Sequence, residues 1–361
     1  MEPGCTAPTL AIPPSFAIVI RVMKKWFSRW FSGPRNLSSP AADDEGTGTE
    51  GEPVSPNKED KGEKDEVTST ELSPVEIAKG AISSDPLNAE NHFAFAEACE
   101  ANGQTELAYS AYRTAQTMGI ESAKSGPKIA KLSGKLPDQL GMDHNEYFRI
   151  KALADELLRL DPNGKFSLLD VGGGIGKLSQ FLPDCDYCLA EPAVNGIPGT
   201  NLPFGDASFD YVVSCHVLEH IPPTERDRFL SEMARPARKA VILLNPFEVP
   251  GTAVVERLQL FIDLLDARWA KEHLECTLPT VEYVENWAKA QGYPARVQPS
   301  GTLTTTVAMV FANHYGQHSG NGEAVRKLNE FFNTRFMPLL DSADAPNAYL
   351  VTIDVGGAIS D

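Results

Sequence analysis

The residues best suited to chemistry stand in a glycine-rich stretch at 166–180, which reads FSLLDVGGGIGKLSQ. The apolar residues at its start predict a short buried strand, and the glycines predict a tight turn into a helix. Such a turn offers free backbone N–H groups to a ligand, and glycine lets the ligand come close because it has no Cβ. The carboxylate of Asp170 ends the strand and would suit a cationic group of that ligand.

The spacing of the glycines separates two classes of cofactor. A dinucleotide fingerprint has the form G-x-G-x-x-G, and counting from Gly172 puts Lys177 near its last position, where a glycine should stand. The stretch instead fits the pattern D-x-G-x-G-x-G, whose four fixed positions are Asp170, Gly172, Gly174 and Gly176. An NAD-dependent oxidoreductase is therefore disfavoured by the spacing, although it stays open as an alternative.

A second stretch at 202–222 reads LPFGDASFDYVVSCHVLEHIP and adds polar residues to the same site. Its β-branched and aromatic run at 209–214 predicts another buried strand. In an open parallel sheet, ligands bind beyond the carboxyl ends of the strands. We therefore expect Ser214, Cys215 and His216, where this strand ends, near the reactive end of the ligand.

Together the two stretches resemble those of class I S-adenosylmethionine-dependent methyltransferases with a type 11-like domain. The first resembles their motif I and the second their LPF-x-D-x-S-F-D-x-V…LEHI block, and the resemblance extends over 143–361. It implies an α/β fold with a Rossmann-like seven-stranded methyltransferase sheet, mostly parallel with the last strand antiparallel, and with helical insertions. It also implies S-adenosyl-L-methionine as the cofactor.

The resemblance assigns roles to further residues at the strand ends. Glu191 ends the predicted second strand, where an acid binds the ribose hydroxyls of the cofactor. The third strand is predicted to be vestigial, at 197–202, so the adenine contacts fall on Asn201 and Leu202. The complete set of expected cofactor residues is Asp170, Gly172, Gly174, Gly176, Glu191, Asn201, Leu202 and Ser214.

Two histidines are candidates for proton transfer at the acceptor. The implied reaction is methyl transfer to an O- or N-nucleophile, which can need a base, and histidine titrates near neutral pH. His216 follows a predicted strand, and His273 lies in a W-x-x-E-H…LP stretch. That stretch looks like one in a subset of bacterial methyltransferases, some of which neighbour glycan-building enzymes, so a glycan or another small metabolite is the expected acceptor. Each histidine could instead be a structural or capping residue.

Two predicted insertions must help to position these residues. An amphipathic helix at 252–268 follows the strand at 240–244, and a largely helical stretch at 302–340 follows the strand at 293–298. Both strands end on the cofactor side of the sheet. We therefore expect both insertions to form a lid over the cofactor and to hold the acceptor.

Four segments precede the predicted methyltransferase domain. Residues 1–35 are apolar and basic, and 23–31, MKKWFSRWF, has the pattern of a helix in a membrane surface, or of a tail outside the fold. Residues 36–71 are acidic and low in complexity, which predicts a disordered linker. Residues 72–122 resemble a tetratricopeptide-like helical module that docks on the domain or on a protein partner. Residues 123–142 look like a second linker.

Composition argues against other classes of function. The formal net charge of −17 disfavours a nucleic-acid binder, because phosphate backbones require clustered Lys and Arg. The six cysteines are scattered, and the C-x-x-C pair Cys185 and Cys188 has no second pair at metal-ligand spacing, so no metal is expected. Because the sequence shows no disulfide framework, we expect a cytoplasmic protein, either free in the cytoplasm or peripheral at the membrane.

The remaining alternative for the function is a non-enzymatic tetratricopeptide-type interaction protein with a degenerate cofactor fold.

Overall fold

A computed structural model describes residues 72–335 and 345–356 of the chain. All of the described residues belong to one compact unit, Glu71–Asp361. The predicted membrane-surface segment at 23–31 and the acidic linker at 36–71 lie outside them. None of the helices in the described part is both long and apolar enough to cross a membrane.

One sheet of six strands forms the centre of the described residues. The strands are β1 (Ser167–Val171), β2 (Asp186–Ala190), β3 (Phe209–Cys215), β4 (Ala237–Asn245), β5 (Ala295–Thr302) and β6 (Pro346–Asp354). Their order is β2-β1-β3-β4-β6-β5, with β1 to β4 parallel and β6 antiparallel to both of its neighbours. The α/β class and the antiparallel last strand are as predicted, but the described sheet has six strands and not seven.

The prediction of a third strand at 197–202 is wrong, because this segment forms no strand. The side chain of Asn195 closes the turn after β2 by donating to the carbonyl of Leu189 (2.7 Å) and accepting from the N–H of Glu191 (2.9 Å). The outer edge of β2, where a third strand would pair, is occupied by a helix. The hydroxyl of Thr114 on that helix accepts the N–H of Leu189 (3.1 Å).

The first four helices of the described residues are α1 (Pro74–Ser84), α2 (Ala89–Ala101), α3 (Thr105–Thr117) and α4 (Ser122–Ser133). Helices α2 and α3 pair as a hairpin that turns at Gly103, with a φ of 75°. The likeness of this hairpin to a tetratricopeptide repeat stays a prediction. The predicted linker at 123–142 is wrong in its first half, where α4 forms despite Pro127. Two lysines of α4 hold it on α2 through ion pairs to Glu100 (3.0 and 2.6 Å).

Helix α3 packs against the glycine turn and β2. Where the sequence predicts a helix after the glycine turn, the chain forms only a single 3-10 turn at 177–180. Helix α3 packs beside the glycine turn instead. The hydroxyl of Ser110 donates to the carbonyl of Ile175 (2.7 Å). The buried guanidinium of Arg113 donates to the carbonyl of Ser179. The N-terminal helices are thus part of the wall of the sheet domain.

The other helices of the described residues are α5 (His144–Leu160), α6 (Arg226–Ala234), α7 (Val254–Leu265), α8 (Arg268–Cys276), α9 (Val281–Ala290), α10 (Leu303–His318) and α11 (Gly322–Arg335). Helices α1 to α4, α6 and α9 bury their apolar sides on one face of the sheet, and α5 packs on the other. The two predicted insertions are α7 with α8 and α10 with α11. They share a separate apolar cluster, in which Leu258 and Phe261 meet Val310 and Phe311.

Candidate active site

Three glycines with left-handed backbone shape the turn after β1. Gly172, Gly174 and Gly176 have φ values of 75°, 57° and 77°, a region that favours glycine. A Cβ on Gly172 would lie 2.3 Å from Val217, and one on Gly176 would lie 2.5 Å from Ser110. A Cβ on Gly174 would meet no atom within 4 Å. Packing therefore requires Gly172 and Gly176, whereas Gly174 borders open space that a ligand can enter.

Glu191 follows β2 and faces this turn. Its Oε2 accepts the N–H of Gly174 at 3.1 Å, and its Oε1 accepts the N–H of Ala193 at 3.0 Å. The carboxyl ends of neighbouring parallel strands meet at one edge of a sheet, which is why the two motifs come together. The structure thus brings the acid predicted to bind ribose next to the loop predicted to bind the cofactor.

Asp170 lies beneath the turn. Its buried carboxylate accepts the hydroxyl of Tyr187 (2.7 Å), and a Cβ on Gly173 would lie 2.2 Å from its Oδ2. Burial raises the pKa of Asp170 to about 7, an effect that the Tyr187 hydroxyl opposes and the charge of Glu191 reinforces. Because a nearby cation favours the ionised form of an acid, a cationic ligand above this turn would lower that pKa.

Two buried polar atoms at the carboxyl ends of β3 and β4 have no hydrogen-bond partner among the described residues. They are the hydroxyl oxygen of Ser214 and the side-chain oxygen of Asn245. Buried polar atoms without partners are rare in proteins and call for an explanation such as a functional role. Together with the open space over Gly174, they show that the residues at this edge fit a polar cofactor such as S-adenosylmethionine.

Asn201 and Leu202 do not join this site. The backbone N–H of Leu202 donates to Glu232 (2.9 Å), and its carbonyl accepts from Arg235 (2.9 Å). Both partners stand just before β4, so Leu202 lies toward the amino ends of the strands, with its side chain buried and Asn201 exposed beside it. The predicted third strand, which would have carried these residues toward the cofactor, does not form. The structure therefore does not bring Asn201 and Leu202 to the other expected cofactor residues, and their adenine contacts stay a prediction.

A cavity of about 580 Å³ opens beside the glycine turn. Val217 packs on Gly172, while the preceding residue, His216, lines the cavity. Its walls come from α5, the strand ends and both insertions, and its apolar lining includes Phe148, Leu258, Phe261, Trp269 and Val310. Arg149 of α5 and Arg257 of α7 also line it. No carboxylate of the described residues lies at ion-pair distance from either arginine.

A cluster of side chains, which we call the histidine cluster, consists of His216, Glu219, His220 and His273. Its three histidines line the cavity, and Glu219 is fully buried behind them. The Nε2 atoms of His220 and His273 lie 3.2 Å apart. Oε1 of Glu219 lies 3.3 Å from Nδ1 of His216 and 3.8 Å from Nε2 of His273. Burial lowers the pKa of His216 even though Glu219 opposes the shift, and burial lowers the pKa of His273 to about 4. Both rings are therefore neutral at neutral pH.

The 3-10 turn Leu218–His220 after β3 is fixed from two sides. Asn245, at the end of β4, donates its side-chain amide to Oε2 of Glu219. The buried guanidinium of Arg226 donates to the carbonyl of the residue after the turn (3.0 Å) and to two carbonyls at the end of α8. Arg226 thereby joins the turn to α8, the helix that carries His273.

The sequence predicted part of this site. It named His216 and His273, which line the same cavity, but it did not include Glu219, Arg149 or Arg257. Glu219 stands inside the LEH block, so a signal for it was present. The two arginines lie on helices, and helical periodicity does not tell which polar residues face a cavity.

Comparison with known proteins identifies the sheet domain. Residues 169–244 match the family model Methyltransf_11, described as a methyltransferase domain. No curated protein matches the chain in sequence. Similar solved structures include phosphoethanolamine N-methyltransferase 2 of Haemonchus contortus with S-adenosyl-L-methionine (16% identity, TM-score 0.39, 57% of this chain and 52% of that chain). Another is a SAM-dependent methyltransferase of Thermotoga maritima (12% identity, TM-score 0.37, 60% and 98%). A third is magnesium protoporphyrin IX methyltransferase of Synechocystis (17% identity, TM-score 0.30, 42% and 76%).

The matched residues contain the glycine turn, Glu191, Ser214 and His216, which are the residues that the strand ends bring together. The match favours a methyltransferase over the two alternatives, an NAD-dependent oxidoreductase and a non-enzymatic interaction protein. The chain therefore carries a methyltransferase domain and is an enzyme that uses S-adenosylmethionine as its cofactor.

Proposed function

We propose that this enzyme methylates an O- or N-nucleophile of a small acceptor, a glycan or another small metabolite, that carries an acidic group. The observation that carries the proposal is the pair Arg149 and Arg257 in the cavity wall, which face no carboxylate of the described residues at ion-pair distance. Arg257 donates one hydrogen bond to the backbone carbonyl of Thr252 (3.1 Å). Guanidinium groups that form no ion pair within the protein suit a carboxylate or phosphate on a ligand. Burial lowers the pKa of Arg257 by penalising its charge, and a bound anion would offset that penalty.

The size and lining of the cavity support a small acceptor. Its volume of about 580 Å³ lies within the range of roughly 300–1,000 Å³ that is typical of small-molecule sites. The aromatic and aliphatic side chains of its wall suit an apolar body, and the arginines suit the acidic group. The cavity is bounded by both insertions, which supports their predicted role in acceptor binding.

The residues that would hold the cofactor stand at the ends of β1, β2 and β3. They are the backbone around Gly174, the carboxylates of Asp170 and Glu191, and the hydroxyl of Ser214. S-adenosylmethionine, when bound, supplies the methyl group and the sulfonium leaving group. The main contribution of the chain is to orient the acceptor nucleophile and to exclude water.

His216 and His273 are the candidates to accept the proton that the nucleophile loses. Glu219 faces Nδ1 of His216, which favours a proton on that nitrogen and leaves Nε2 free to accept another. Nε2 of His273 already faces a neighbouring histidine. We therefore assign proton acceptance to His216 and a positioning role to His273.

The test of this function uses purified enzyme, labelled cofactor and cell extract fractionated by charge. Label should enter acidic small molecules. Arg257→Gln should raise KM for such an acceptor about tenfold or more, because charge-assisted hydrogen bonds contribute about 1.5–3 kcal/mol. The affinity for S-adenosylmethionine should stay unchanged. Arg228→Gln, which removes an exposed arginine of α6, is the matched control. Labelling of neutral molecules alone would contradict the proposal.

Two further proposals concern the N-terminal segments. We propose that α1 to α4 present an outer apolar surface to a protein partner in the manner of a tetratricopeptide repeat, because Leu72, Ile77 and Leu87 are exposed there.

We also propose that residues 23–31 hold a cytoplasmic enzyme at a membrane surface. Co-sedimentation with anionic vesicles tests the second proposal. The full chain should sediment and a chain that lacks residues 1–35 should not.

A further inference from the structure

Two histidines in the cavity wall direct the same ring nitrogen at each other. Nε2 of His220 lies 3.2 Å from Nε2 of His273, although the two residues are 53 positions apart in the chain. Nδ1 of His220 lies 3.1 Å from Oε2 of Glu272. A carboxylate at that distance favours the proton on Nδ1, so Nε2 of His220 presents a lone pair.

A buried carboxylate oxygen lies beside this pair. Oε1 of Glu219 is 3.8 Å from Nε2 of His273, and the side chain is fully buried. The other oxygen of Glu219 accepts the amide of Asn245, whereas Oε1 has Nδ1 of His216 at 3.3 Å, outside the geometry of an ordinary hydrogen bond. A fully buried carboxylate oxygen with one long contact is incompletely satisfied and can accept a further ligand.

We propose that Glu219, His220 and His273 bind one divalent transition-metal ion of the zinc class. One ligand atom from each residue lies within 4.8 Å of the others. Nitrogen and carboxylate ligands at about 2.0–2.2 Å from a tetrahedral zinc ion are themselves separated by roughly 3.3–3.5 Å. Two of the three separations, 3.2 and 3.8 Å, lie close to that range, and the third is no more than 4.8 Å, so side-chain adjustments would admit the ion.

The surroundings of the three ligands also suit a metal. Metal-bound histidines usually donate their second ring N–H to a carboxylate, which orients the ring and raises its basicity. Glu272 stands in that position for His220. The alternative is a hydrogen bond in which one Nε2–H of the pair donates to the other, and that arrangement leaves Oε1 of Glu219 with the long contact to His216 alone.

The proposed site faces the acceptor. His220 and His273 both line the cavity, and two histidines with one glutamate leave a fourth position of a tetrahedral ion open. Water or an oxygen of the acceptor would occupy that position. A bound cation lowers the pKa of a coordinated hydroxyl group and so favours its loss of a proton. This role at the acceptor rests on the proposed function, whereas the metal site itself does not.

The experiment titrates the full chain, dialysed against a chelator, with Zn²⁺ by calorimetry and with Co²⁺ by visible absorption. We expect one ion per chain and a cobalt spectrum of the intensity typical of four-coordinate sites. His220→Gln and Glu219→Gln should each weaken binding about tenfold or more, and Glu272→Gln about 10–100-fold, as for other residues that orient a ligand. His318→Gln removes an exposed histidine of α10 and should leave the affinity unchanged.

Two results would overturn the site. One is no stoichiometric binding of Zn²⁺ or Co²⁺ by the unmodified chain, and the other is an affinity of His220→Gln equal to that of His318→Gln. Because Glu219→Gln alters a buried residue, circular dichroism must show that it folds, and Glu272→Gln at the partly exposed position serves if it does not. Metal binding is measured without acceptor or turnover, so its failure leaves the proposed methyl transfer intact, and the reverse also holds.

Discussion

The carboxylate of Glu191 accepts a hydrogen bond from the backbone N–H of Gly174, with 3.1 Å between Oε2 and the nitrogen. The acid expected to bind the cofactor ribose therefore also holds the loop expected to approach the cofactor. A change at either residue affects the other through this bond. Experiments on the cofactor site must separate loss of a ligand contact from loss of loop order.

Glu191→Ala should weaken the binding of S-adenosylmethionine by about 1.5–3 kcal/mol, the range for hydrogen bonds to a charged group. Glu191→Gln should lose less affinity for S-adenosylmethionine, because its amide oxygen can still accept the N–H of Gly174. Calorimetric titration measures both. The loss should shrink for an analogue without ribose hydroxyls, and an equal loss for that analogue would assign Glu191 to loop order alone.

Gly174→Ala should weaken cofactor binding about tenfold or more, because its Cβ would enter the open space over the turn. Gly292→Ala is a matched control. Gly292 has a φ of 78°, its Cβ would also meet no atom within 4 Å, and it is exposed after α9. Both variants should lose a similar stability of about 1–2 kcal/mol from left-handed backbone strain. Equal cofactor affinities in the two variants would show that the turn does not face the ligand.

Asp170→Asn should change how the stability of the ligand-free enzyme depends on pH. Burial raises the pKa of Asp170 to about 7, so its ionisation opposes folding. Ionisation of Asp170 therefore lowers the free energy of unfolding. This loss is absent below the pKa of the unfolded acid, near 4, grows as the pH rises to about 7, and is complete above pH 7. At 1.36 kcal/mol per pKa unit it reaches up to about 4 kcal/mol. Tyr187 and Glu191 are the groups that face this carboxylate.

Urea unfolding between pH 4 and pH 8 measures this effect. Relative to the wild type, Asp170→Asn should gain stability steadily as pH rises, since the amide can still accept the Tyr187 hydroxyl and never ionises. Parallel stability curves for the two proteins would contradict an elevated pKa.

Arg113→Met should destabilise the whole sheet domain by about 2–5 kcal/mol, because it leaves the buried carbonyls of Ser179 and Cys185 without their donor. The loss of stability should appear in a single cooperative unfolding transition that includes the N-terminal helices. Lys135→Met, at an exposed position just after α4, should change stability by less than about 0.5 kcal/mol. Separate melting of helices and sheet in the arginine variant would mean that α1 to α4 are an independent module.

His216→Asn should lower kcat by about 10²–10⁴-fold, the usual contribution of a general base. Asparagine is the replacement of choice because His216 has a φ of 56°, a conformation that asparagine tolerates better than most residues. Affinity for S-adenosylmethionine should stay near the wild-type value. His318→Asn provides the control for loss of a histidine elsewhere. Turnover equal to the wild type in His216→Asn would show that His216 is not the base.

Local sequence patterns determined the cofactor edge of this protein. The apolar run before Asp170 can bury only as a strand, and the left-handed turn that follows admits few residues other than glycine, so neighbouring positions alone predict β1 and its loop. The same holds for β3, which ends at Cys215, between Ser214 and His216. Because parallel strands end at a common edge, the meeting of Glu191 with Gly174 followed from the order of the motifs.

Only the tertiary structure decided what stands beyond that edge. The predicted third strand fails because the N–H of Leu189 pairs with Thr114, whose helix lies 75 positions earlier in the chain. His220 and His273 meet because Arg226 ties the end of α8 to the turn after β3. No spacing motif encodes that contact, and the scattered cysteines of the sequence predict no metal. Contacts of this kind depend on the packing of whole helices, which local propensity and periodicity do not specify.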